Sequence, residues 1–74
     1  MTPEELSSFF IRHGYHQKMK SFISSSGEIK YKLGKNSLQK FRGTSGEWFK
    51  IWSAYYKDIS INDSEDKLHI EKKI

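Results

Sequence analysis

No cysteine occurs anywhere in this chain of 74 residues. That excludes a disulfide framework and any thiolate metal site, and nothing else points to an oxidising compartment. Valine is absent too, and alanine occurs once, at Ala54. Lys, Ile and Ser are abundant instead, a bias of the kind an AT-rich genome imposes. Long apolar runs are missing. None approaches the roughly 18 residues that a membrane-spanning helix needs. The opening MTPEELSSFF is acidic and lacks the basic start of a secretory signal. A cytoplasmic protein with no membrane association is the expectation. A chain that starts at Met1 without tag or linker reads as a complete small gene product.

Catalytic signatures are scarce as well. No serine lies in a nucleophile-elbow pattern. Gly43-Thr44-Ser45-Gly46 lacks the lysine of a phosphate-binding loop. Asp58, Asp63, Glu65 and Asp66 lack the central glycine and terminal glutamate of a calcium loop. His13 and His16 are the only close histidine pair, with Gly14 between them and no third ligand in view. The expectation is no metal, no small-molecule cofactor and no enzyme; a small toxin nuclease is the least favoured class.

Aromatic side chains and positive charge are plentiful. Five of the eleven aromatics fall in Glu47 to Lys57, the stretch EWFKIWSAYYK. Aromatics bury more area than other side chains, so the core is expected there. Residues 12 to 50 hold nine cations against Glu28 and Glu47, although the net charge of the chain is only +4. Such a concentration is a stronger indication of an anionic partner than the net value.

The length suits one small domain over residues 1–74 with a frayed C-terminus at Lys72, Lys73 and Ile74. Thr2-Pro3-Glu4-Glu5 is a helix start: Thr2 caps, Pro3 suits the first turn, and Glu5 completes a capping box. Leu6, Phe9 and Phe10 then form one stripe, and Gly14 ends the helix. Three turn clusters follow at about ten-residue spacing, around Ser24–Gly27, Gly34–Ser37 and Gly43–Gly46, the rhythm of an antiparallel meander. Ile29 to Leu33 alternates cleanly; Lys18 to Ile23 and Leu38 to Arg42 do so less well. Residues 59–61 and 67–70 suggest a last hairpin. The expected fold is α+β, an N-terminal helix packed on a small antiparallel β-meander. The alternative order is α-β-β-β-α, with 47–57 as a second helix on the stripe Trp48, Ile51, Trp52, Tyr55 and Ile59.

In the strand reading one sheet face gathers seven cations, Lys18, Lys20, Lys30, Lys32, Lys40, Arg42 and Lys50. Trp48, Trp52 and Tyr56 lie among them, and the helix covers the other face. Lysines neutralise phosphates and aromatic rings stack on unpaired bases. A small basic nucleic-acid-binding module, for DNA or RNA, is therefore the first functional expectation. The second is a protein-binding module, such as a small phage or plasmid inhibitor of a host enzyme.

Overall fold

A computed structural model describes residues 1–44 and 46–71. Helix α1 (Pro3–Arg12) is followed by strands β1 (His16–Lys18), β2 (Ser21–Ile23), β3 (Ile29–Leu33), β4 (Ser37–Thr44) and β5 (Glu47–Tyr55). These five strands pair in chain order as one antiparallel sheet, and β6 (Ile59–Asn62) and β7 (Lys67–Ile70) form a separate hairpin. The architecture is the expected α+β fold, and the aromatic stretch is a strand rather than a second helix. No described helix is long and apolar enough to cross a membrane. The expectation for Lys72, Lys73 and Ile74 lies outside the described residues.

The helix forms as its sequence dictates. Thr2 Oγ1 accepts from the Glu5 amide at 3.2 Å, and the Glu5 carboxylate accepts from the Thr2 amide at 2.9 Å. That reciprocal pair satisfies two of the amides a helix start leaves free. It also holds the Glu5 carboxyl below its usual range, chiefly through the Thr2 backbone bond. Leu6, Phe9 and Phe10 face inward and meet Phe22, Tyr31, Leu38 and Ile59, which completes the buried core. Phe10 is central: its ring stacks on Tyr31 at 4.5 Å and lies 5.1 Å from Phe22.

The core is therefore not in the stretch 47–57, contrary to the expectation from composition. No residue of β5 is fully buried, and Phe49 is 71% and Tyr55 60% exposed. The reason is position. β5 is an edge strand: Phe49, opposite exposed Arg42, lies on the inner face away from the buried cluster, and Tyr55, opposite Ser37, faces outward. α1 lies over β2 and β3, where its apolar stripe finds Phe22 and Tyr31.

The second hairpin closes the structure from the side. Ile59 is buried, and Ile61, Leu68 and Ile70 pack against the core. Asp66 ties the hairpin loop to the helix end, accepting from Arg12 at 2.8 Å and His13 at 3.0 Å. Tyr56, in the short 3-10 turn Tyr56–Asp58 before β6, donates its hydroxyl to the Gly34 carbonyl at 2.6 Å.

Candidate nucleic-acid interface

The ladder register decides which cations share a surface. Phe22 pairs with Tyr31, and Tyr31 with Lys40, so these three positions face the helix. Lys30 lies opposite Ile23 and Phe41, and Lys32 opposite Ser21 and Gln39, on the outer face. Lys18 pairs with Ser21 and joins them. Lys50 lies opposite Phe41, and Trp48 opposite Gly43, on the same outer side.

The seven cations are thus split. Lys18, Lys30, Lys32 and Lys50 occupy the outer face, and Lys20 sits at its margin in the turn between β1 and β2. Lys40 and Arg42 point the other way, paired with Tyr31 and Ile29 and, across β4, with Trp52 and Phe49. Trp52 and Tyr56 are likewise absent from the outer face and pack against the core.

Two local features cause the split. In β4, Leu38 is fully buried, and period-2 alternation carries Lys40 and Arg42 to the same side. In β5, Lys40 pairs with Trp52 but Phe41 pairs with Lys50, leaving Ile51 as an extra residue. That bulge reverses the phase, so Trp48 and Lys50 face out while Trp52 faces in. A third correction concerns Lys18 to Ile23. It is a tight hairpin rather than one strand, so Lys18 pairs with Ser21 while Phe22 pairs with Gln17 on the inner side.

On the outer face, Lys30 sets the geometry. Its Nζ lies 4.8 Å from the centre of the Phe41 ring and 4.9 Å from that of Trp48. Cation–π attraction holds the two rings and the charge together. Phe41 was not among the sequence candidates; its alternation against buried Leu38 was the available signal. Among the described residues, no strand position on this face carries a carboxylate, and the ion pairs found involve Asp66 alone. An open groove of about 610 Å³ runs along it, lined by Lys18, Lys20, Lys30, Lys32, Met19 and Trp48.

The inner side has a different character. A cleft of about 670 Å³ lies between α1, the sheet and the second hairpin, with Tyr15, Tyr31, Trp52 and Lys40 among its walls. Lys40 Nζ sits 5.5 Å from the centre of the Tyr31 ring. Burial pushes the phenols of Tyr15 and Tyr31 above their ordinary range. Arg42 is exposed beside Glu28, Ile29 and Thr44 at the far end of the sheet. His13 caps the helix, its ring tilted against that of Phe9 with centres 4.2 Å apart, while His16 and His69 are exposed. No group of three or more His, Cys, Asp or Glu residues is placed to hold a metal ion among the described residues. No family model matches the chain, and no curated protein or solved structure matches it.

Proposed function

We propose that the outer face of the five-stranded sheet binds single-stranded nucleic acid, DNA or RNA. One observation carries the reading. Four lysines, Lys18, Lys30, Lys32 and Lys50, surround Trp48 and Phe41 on a face without strand carboxylates. Unpaired cations on an open sheet suit a phosphate backbone, whose displaced counterions drive association. Rings beside them suit bases that are free to stack, each worth roughly 1–3 kcal/mol when removed. A duplex hides those base faces and is read by an element that enters a groove. Here α1 lies behind the sheet and carries Glu4 and Glu5 in its first turn.

The test is a titration of the intact chain with single- and double-stranded DNA and RNA at two salt concentrations. The reading expects single strands to bind best and affinity to fall steeply with salt. Absence of binding to any of them at low salt would refute it.

A second reading, as a protein-binding module, draws on a separate observation. Strand β5 forms an edge of the sheet, with Phe49, Ile51 and Tyr55 at 71%, 48% and 60% exposure. Edge strands with apolar side chains accept an added strand from a partner. The bulge at Ile51 and the charge of Lys50 blunt this edge, which places the reading second. A chain that ignores nucleic acid at low salt would pass to it.

A further inference from the structure

Met19 stands out on the outer face. Its side chain is 89% exposed, the highest value among the exposed large hydrophobics. Its backbone has φ +57. It is the first of the two residues that join β1 to β2, and the second, Lys20, has no positive φ. Two-residue hairpin turns of this kind ordinarily take glycine at the first position. A long side chain there is an outlier, since left-handed backbone crowds its Cβ. Two hydrogen bonds accompany the turn: Gln17 Nε2 donates to the Met19 carbonyl at 3.2 Å, and the Leu33 amide donates to the Lys20 carbonyl at 2.8 Å. A backbone outlier at an exposed tip motivates a functional hypothesis.

Position supplies the second half. Met19 lines the outer groove together with Trp48, and Lys18 and Lys20 flank it directly in sequence. An unbranched apolar side chain between two cations has the shape and surroundings of a wedge. Proteins that bind the minor groove of duplex DNA insert such residues, methionine included, between adjacent base steps, and the same stacked base faces are exposed in a single strand.

We propose that Met19 inserts between two neighbouring bases of the strand held on the outer face, with Lys18 and Lys20 on the adjacent phosphates. The proposal rests on the nucleic-acid reading and deepens it. The ligand is single-stranded, because separating two stacked bases costs least where no complementary strand must also be disturbed. An anionic lipid surface would also receive an apolar tip between lysines. It is disfavoured because, among the described residues, Met19 is the one large apolar side chain in the turn itself, while Ile23 and Trp48 lie back along the groove.

The experiment compares the intact chain with Met19→Gly and Met19→Leu. The probe is a short single-stranded oligonucleotide carrying one 2-aminopurine, whose fluorescence rises when its neighbours are unstacked. Glycine suits the positive φ, so Met19→Gly should melt about 4 °C higher than the parent. The same variant should bind roughly tenfold more weakly and lose the fluorescence rise. Met19→Leu should keep both affinity and signal. Parent-like affinity and fluorescence in Met19→Gly would overturn the wedge while leaving the outer-face reading intact. Failure of the parent to bind any single strand would remove the outer-face reading and the wedge together. Binding to phosphatidylserine vesicles in place of the oligonucleotide would assign Met19 to a membrane and overturn the proposal.

Discussion

Replacing Phe10 and Phe49 by alanine, one at a time, measures where the core lies. Phe10 is 1% exposed and has the rings of Tyr31, Phe22, Tyr15 and Phe9 at 4.5, 5.1, 5.3 and 5.6 Å. A phenylalanine removed from such a site costs roughly 3–5 kcal/mol, the lost transfer energy plus the cavity left behind. A chain of this length has roughly 4–11 kcal/mol in total. Phe10→Ala should therefore lose about a quarter or more of the stability and melt roughly 12 °C lower, or more. Phe49 is 71% exposed, so Phe49→Ala should stay within about 0.5 kcal/mol of the parent. Urea unfolding followed by tryptophan fluorescence, with a thermal melt by circular dichroism, reads both. Should Phe10→Ala fail to fold, Phe10→Leu gives the same direction at smaller cost. A Phe49→Ala loss as large as that of Phe10→Ala would contradict this placement and return the core to the aromatic strand.

Three further outcomes are expected. Gly43→Ala should destabilise strongly in a melt, because φ is +149 there and an added Cβ would collide with the Glu47 carbonyl oxygen, which belongs to backbone. Asp66→Asn removes the charge that pairs with Arg12 and His13 but keeps a residue that tolerates the local φ of +52. Its cost in urea should be below about 1 kcal/mol, since the pairs are solvent-exposed. Alkaline pH should lower the stability of the chain. Burial raises the phenols of Tyr15, Tyr31 and Tyr56 above 10.0, so their contribution is complete below that pH and is lost as pH rises through the folded values. Phenolate absorbance recorded with thermal melts should show the melting temperature falling in that window.

Local signals made much of the fold legible. The capping box at Thr2 and Glu5, the stripe Leu6-Phe9-Phe10 and the alternation Ile29 to Leu33 each act within a few residues, and each formed as read. The candidate face was harder because it depends on phase across several strands. Buried Leu38 already fixed the side of Lys40 and Arg42, so that part was readable in principle. The bulge at Ile51 was not, because an extra residue in one strand is defined only against its partner. The turn at Met19 and Lys20 was hidden by its composition, with lysine and methionine where glycine or asparagine would have marked it. The aromatic stretch misled for a related reason. Side-chain size indicates what can be buried, but the strand order placed β5 at an edge, where Trp52 and Ala54 pack against the core while Phe49 and Tyr55 stay exposed.

Whether the outer face is the binding surface is tested most directly by two double variants with the same charge change on opposite sides of the sheet. Lys32→Gln with Lys50→Gln and Lys40→Gln with Arg42→Gln each lower the formal net charge from +4 to +2. The measurement is the dependence of single-strand affinity on salt, as the slope of log K against log[salt]. The outer pair should flatten that slope by about 1.4, two phosphate contacts at about 0.7 each, and the inner pair should leave it unchanged. Equal flattening by both pairs, or flattening by the inner pair alone, would contradict the assignment of binding to the face built from Lys18, Lys30, Lys32, Lys50, Phe41 and Trp48.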